Sequence, residues 1–194
     1  GQQDQHRPVP GPTASARQLR VRHLDAAVDP GLLSDEGGYP RQRVLDICRA
    51  LVDQGLSRVP WIMINGIRAN LADEELLGAM RRAGCIRTAF GVESGNQAIL
   101  DQVVDKHLTI DQVRVAFRAA RAVGMEPIVF FIVGLTGETE ATMDDTIRFA
   151  LELEPDLANF MIAAPYPGTE LWDIARRDGK LFSLDWRDYA IHDE

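Results

Sequence analysis

Apolar residues along the chain fall into two spacings that alternate. From residue 41 onward, stretches with apolar positions three and four apart give way to short, nearly continuous apolar runs, each change passing through a glycine or a polar turn. The first periodic stretch, 41–54, sets Val44, Leu45, Cys48, Leu51 and Val52 on one stripe, with Gly55 placed to end the helix. "RVPWIMIN" then reads as a strand. Asp73 is placed to cap a second helix through Leu76, Leu77, Met80 and Ala83, which Gly84 closes before the strand "CIRTAFGV". Thr109 and Gln112 have the spacing of a capping box ahead of Val113, Ala116, Phe117 and Ala120, and Gly124 separates that helix from the strand "PIVFFIVG". A fourth helix over 141–153 is expected to turn Met143, Ile147, Ala150 and Leu151 inward. It leads to "LANFMIAAPYPGT", where Pro165 and Pro167 stop a strand and Thr169 can cap a last helix through Leu171, Trp172 and Ala175.

Strands this uniformly apolar, alternating with one-sided helices, indicate a parallel sheet covered by helices, since strands buried on both faces lose the polar alternation. The pattern predicts an α/β protein with about four or five strands. "RQLRVRHLDAAV" is a candidate for the first of them, ending at Asp25, although three arginines sit badly in a buried strand. Ahead of it, residues 1–17 carry Pro8, Pro10 and Pro12 and read as a flexible leader; 18–182 form the domain and 183–194 a C-terminal tail.

Composition narrows the function classes. The 194 residues are 45% hydrophobic and 26% charged, enough for a sizeable core. The net charge of -8 argues against a broad footprint for nucleic acid or anionic membrane, and no aromatic cluster suited to stacking bases stands out. Cys48 and Cys85 are the only cysteines and form no C-x-x-C spacing, so neither a disulfide framework nor a sequence-local metal site is expected. No apolar run is long enough to span a membrane and no signal peptide is recognisable, which makes a cytoplasmic location the expectation.

Parallel strands deliver their C-terminal ends to one rim, so the residues just after each strand are the candidates for chemistry. These are Asp25; Asn65 and Arg68; Glu93 and Ser94; Gly134 to Glu138; and Pro165 to Thr169. Carboxylates, an arginine, an amide, a hydroxyl and exposed backbone suit a ligand bearing ribose hydroxyls, an ammonium and a carboxylate. A nucleophile site fits less well, because no G-x-S-x-G is present and the histidines at 6, 23, 107 and 192 lack metal-ligand spacing. "GLTGETE" also lacks the Lys-Ser/Thr of a phosphate-cradling P-loop. Locally, Glu93 and Ser94 read equally well as a turn that caps the helix containing Ile99 and Leu100. Gly134 and Gly137 read as turn residues, Cys85 as a buried thiol, and Arg68 and Lys106 as either solvated charges or ligand contacts.

Several motifs in sequence order then resemble one family. "NGIRAN", "DEELLGAMRRAGCIRTAFGVESGNQAILDQVVDKHLTIDQV", "FFIVGLTGETEATMDDTIRFA" and "PYPGTELWDIARRDG" are similar to the core of radical SAM enzymes, especially the subgroup often joined to a cobalamin-binding domain. The resemblance implies a partial (β/α)6 TIM-like barrel of parallel strands, here missing its first β/α unit. It implies S-adenosylmethionine bound to a 4Fe-4S cluster and cleaved to a 5′-deoxyadenosyl radical, the cluster being held by C-x-x-x-C-x-x-C after the first strand. That motif is absent from this sequence, so no cluster is expected in this chain, and cobalamin would need a separate domain.

Position by position, the resemblance puts Glu93 and Ser94 at the fourth-strand contacts to the ribose or methionine part of the cofactor. Lys106 matches a basic position shortly after them. Ile132 and Gly134 match the segment bordering adenine, with Thr136 in place of the commoner proline. Asn65 and Arg68 fall at the end of the third strand, Asp25 at the end of the second, and Pro165 after the sixth. The chain is thus expected to be a truncated radical SAM core that modifies a substrate its sequence does not reveal. The alternative is a degenerate, cluster-free nucleoside-binding or scaffold module. A barrel without its first unit also exposes the edge of its second strand, which invites self-association, and light scattering on the purified chain checks this.

Overall fold

The computed structural model describes residues 41–181, 183 and 185; the leader, the candidate strand ending at Asp25 and most of the tail lie outside the described residues. Helix α1 (Arg41–Asp53) ends where Gly55 takes a left-handed φ of 67°. After a short 3-10 turn comes strand β1 (Trp61–Met63), then α2 (Glu74–Arg82), whose first turn is capped by the Asp73 carboxylate accepting from the Leu76 N–H at 2.8 Å. Acidic Glu74 and Glu75 at its start and basic Arg81 and Arg82 at its end both complement the helix dipole. Strand β2 (Cys85–Glu93) runs into α3 (Gln97–Ile99), continued by a π-turn over Leu100–Val104.

Helix α4 (Ile110–Ala122) opens with the expected capping box, Thr109 and Gln112 each accepting the other's backbone N–H. Strand β3 (Glu126–Val133), helix α5 (Glu140–Leu153), strand β4 (Leu157–Ile162) and helix α6 (Glu170–Arg177) complete the order.

The four strands are all parallel and lie in the order β1-β2-β3-β4, curled into a half-barrel. One face of the sheet is covered by helices. There Phe90 and Val92 of β2 and Val129 and Phe131 of β3 join Leu77 and Met80 of α2, Phe117 of α4 and Phe149 of α5 in one buried cluster. Phe90 lies 5.3 Å from Phe117, and Phe131 sits between Phe149 at 6.4 Å and Phe160 at 5.2 Å. Burying one such phenyl ring is worth about 3 kcal/mol, so these rings dominate the cohesion of the sheet with its helices.

Alternation places the other set of side chains on the opposite, open face. The register aligns Arg87 with Glu126, Ala89 with Ile128, and Gly91 with Phe130, which in turn meets Asn159 of β4. This face is the inner wall of the half-barrel. Arg87 and Glu126 are ion-paired there at the N-terminal end of their strands, opposite to the rim where chemistry is expected.

Two expectations fail. Ile147 and Leu151 of α5 do not turn inward; they are 48% and 71% exposed, and the buried stripe is Thr146, Phe149, Ala150 and Leu153. The helix is rotated so that the polar Thr146 is buried, hydrogen-bonded to Ser94 and Gly95 in the turn after β2. Nor is every strand buried on both faces: in β4, Leu157 and Met161 on the inner face and Phe160 and Ile162 on the other are all exposed, since the strand stands at one end of the sheet. Among the described residues no helix is long and apolar enough to cross a membrane.

Candidate functional site

The C-terminal end of β2 departs from regular strand geometry. Its register with β3 shifts between Gly91 and Glu93, and Glu93 adopts a left-handed φ of 72°. That conformation costs a residue with a Cβ about 1–2 kcal/mol, so the surroundings must hold it. The bulge re-aims the side chain. The Glu93 carboxylate forms an ion pair with the Lys106 ammonium, which also stands 3.4 Å from the Gly91 carbonyl oxygen. Both groups lie over the open face at Gly91: a Cβ there would stand 3.0 Å from Glu93 Oε1 and 3.2 Å from Lys106 Nζ. A side chain at 91 would displace the pair.

Lys106 comes from the connection between the π-turn and α4, where Asp105 and His107 on either side of it both take φ of 50°. Arg68, from the connection after β1, donates to the Lys106 carbonyl and, through Nε, to Asn70 Oδ1 at 3.0 Å. Three residues singled out in the sequence therefore meet at Lys106, whose ammonium holds Glu93 and whose carbonyl holds Arg68. The Glu93 side chain is only 14% exposed and that of Lys106 30%, so their attraction is less screened than that of a surface pair.

Ser94 points the other way. Its side chain is fully buried, with its hydroxyl 3.3 Å from the Thr146 hydroxyl and accepting from the Asn96 N–H at 3.1 Å. Asn96 caps α3 by accepting from the Ile99 N–H and donates through Nδ2 to Asp145 Oδ2 at 2.8 Å. That hydrogen bond, followed by the one from Arg148, holds the Asp145 carboxyl below its usual range.

The remaining rim residues spread along the neighbouring strand ends. Asn65 is exposed in the turn after β1; the next residue, Gly66, has φ 77° and passes so close to β2 that a Cβ would stand 2.4 Å from the Ala89 carbonyl oxygen. Ile132 lies on the open face beside Met161 of β4, and Gly134 begins the following turn with φ 83°. In that turn Glu138 Oε2 accepts from the Leu135 N–H at 2.9 Å. Pro165 is half-buried after β4, and Asp25 lies outside the described residues. Gly91, as the floor under the ion pair, and Thr146, as the anchor of Ser94, were not anticipated. Nothing local marks a threonine in the middle of "MDDTIRFA".

The thiols do not fit an iron-sulfur cluster. Cys48 on α1 and Cys85 at the start of β2 belong to the buried cluster on the helix-covered side, away from the rim. Burial pushes their pKa values up to about 11 and about 12, whereas metal ligation requires thiolate. Among the described residues no three His, Cys, Asp or Glu side chains are grouped to hold a metal ion.

A family model described as the radical SAM superfamily matches residues 61–150, from β1 into α5, and so contains the whole Glu93 site. The chain belongs to the radical SAM superfamily. An uncharacterized methyltransferase of Pyrococcus horikoshii is 32% identical to this superfamily member over 177 residues, covering 91% of the chain and 38% of the relative. An anaerobic magnesium-protoporphyrin IX monomethyl ester cyclase of Cereibacter sphaeroides is 32% identical over 152 residues, covering 78% of the chain and 25% of the relative. The radical SAM chain thus spans between a quarter and two-fifths of the length of these curated relatives. A solved radical S-adenosylmethionine methyltransferase of Kitasatospora setae, with cobalamin and a 4Fe-4S cluster bound, superposes with a TM-score of 0.56 at 21% identity, covering 71% of this chain and 27% of that one. Coproporphyrinogen III oxidase of Escherichia coli, a radical SAM enzyme, gives 0.58 at 18% identity, covering 75% and 34%. At these identities the two structures show the shared barrel fold.

Proposed function

We propose that this chain is the S-adenosylmethionine-binding wall of a radical SAM enzyme, and that in the complete protein the cofactor is the source of a 5′-deoxyadenosyl radical that modifies a further substrate. The observation that carries this reading is the ion pair of Glu93 and Lys106 laid over Gly91 on the open face, inside the region that matches the family. Glu93 offers a nearly enclosed acceptor for the ribose hydroxyls or the ammonium of the cofactor, while Lys106 and Arg68 supply positive charge for its carboxylate. Ile132 and Gly134 give the adenine an apolar edge with bare backbone beside it, and Asn65 and Pro165 close the rim on either side. Ser94 contributes by holding the turn, and Asp25 is assigned to the same rim from the sequence alone. The carbon-sulfur bond chemistry belongs to the cofactor; these residues supply position and charge.

Thiolates for a cluster are not supplied by Cys48 or Cys85, so no step is assigned to them. Cobalamin, if the complete protein uses it, belongs to a separate domain. The resemblance to methyltransferases and to a cyclase supports chemistry of this superfamily and leaves the substrate unspecified. Isothermal titration of the chain with S-adenosylmethionine tests the assignment: Glu93→Ala should weaken binding by about tenfold or more, the usual loss of a charged hydrogen bond. Binding unaffected by that substitution would sink it. Anaerobic reconstitution of the same chain should leave it without the roughly four irons of one such cluster.

A further inference from the structure

We infer that Thr146 of α5 is a positioning residue for Glu93, an inference that rests on the cofactor site proposed above. The backbone at Glu93 is strained, with φ 72°. A left-handed residue at the end of a strand persists only if the backbone after it is fixed, and here the three following residues are each tied to α5 or to one another. The Gly95 N–H donates to the Thr146 hydroxyl at 2.9 Å, and that hydroxyl lies 3.2 Å from the Thr142 carbonyl, one turn back in its own helix. Thr146 has one proton to give. With it directed to the Thr142 carbonyl, the Thr146 oxygen is left to accept, and the 3.3 Å contact then takes its proton from Ser94. The Ser94 oxygen in turn accepts from the Asn96 N–H. Every donor in this buried chain has an acceptor, with Thr146 at its centre.

The packing is as tight as the hydrogen bonding. A Cβ at Gly95 would stand 2.6 Å from the Thr146 Cα, 2.8 Å from the Phe149 Cβ and 2.9 Å from the Asp145 carbonyl oxygen, so the turn after Glu93 lies directly on the α5 backbone. Thr146 is itself completely buried. It touches nothing on the open face and acts only through residues 94 and 95. Replacing its hydroxyl by a methyl leaves the Gly95 N–H and the Ser94 hydroxyl buried without an acceptor, and the least costly relief is for the turn to lift from α5. That lift releases the dihedral that aims Glu93 over Gly91.

A double-mutant cycle on the full chain, read as S-adenosylmethionine affinity by calorimetry with thermal melts alongside, separates positioning from mere stability. T146V should weaken binding by about tenfold, T146S should restore it, and in an E93Q background T146V should cost almost nothing further, because there is no carboxylate left to aim. If T146V does not fold, Ser94→Ala carries the same expectation through the same turn. Affinity unchanged in T146V, or lowered equally with and without Glu93, overturns the role of Thr146. Failure of the cofactor reading is recognised separately, by a wild-type chain that does not bind S-adenosylmethionine or by an E93Q variant that binds it unchanged.

Discussion

The ends of β2 and β4 emerge on the same rim, yet they are built in opposite ways. After β2, four consecutive residues are fastened: Glu93 to Lys106, Ser94 and Gly95 to Thr146, and Asn96 to Asp145. β4 pairs with β3 along its length but leaves Leu157, Phe160, Met161 and Ile162 exposed, and the turn at Gly168 has no atom within 4 Å of where a Cβ would be. Backbone pairing alone therefore makes a strand, whereas a fixed direction for the side chain at its end requires a second layer of contacts behind it. The site sits where that second layer exists.

The contrast breaks most visibly through the rings. Phe90→Ala empties a fully buried position against Phe117 and should cost about 3–5 kcal/mol in urea unfolding. Phe160→Ala, at 42% exposure, should cost about 1 kcal/mol; equal costs would mean that β4 is covered in solution and that the difference between the two strands is not real. Next come the glycines after each strand. Gly95→Ala drives a methyl into the α5 backbone and should cost about 3 kcal/mol, against about 1 kcal/mol for Gly168→Ala, where only the left-handed φ of 88° resists. The smallest effect is electrostatic. Because the folded Asp145 carboxyl titrates below its ordinary value of 3.8, its contribution to stability is present above that pH and is lost as the pH falls through the lower, folded value. Asn96→Ala removes the first cause of the shift, and an NMR titration should find Asp145 returning toward 3.8. An unmoved titration would leave Arg148 as the sole cause and would loosen the last of the four fastenings.

The alternation of helices and parallel strands was legible because it is written in local periods, and caps such as Asp73, Thr109 and Thr169 mark their own helices within three residues. Glu93 and Arg68 were visible as polar residues at strand ends and Lys106 as a charge that could serve a ligand, but their meeting depends on how the connections fold back over the sheet and was not. α5 shows the limit most clearly. A hydrophobic stripe drawn through Ile147 and Leu151 is the natural reading of its composition, and it is wrong by a rotation because Thr146 is buried for its hydrogen bonds. Ser94 follows the same logic: a hydroxyl beside a carboxylate suggests a shared task, while a strand sends neighbouring side chains to opposite sides.

The hydrogen bond from Gly95 to Thr146 joins residues 51 positions apart, passing over α4 and β3. In a chain made from its N-terminus, Glu93 is therefore synthesised long before the helix that sets its direction. β2 can pair and pack early, but the turn that follows it has nothing to rest on until α5 exists and docks. The cofactor-facing geometry is a late product of assembly, completed only after about a quarter of the 194 residues have been added behind it.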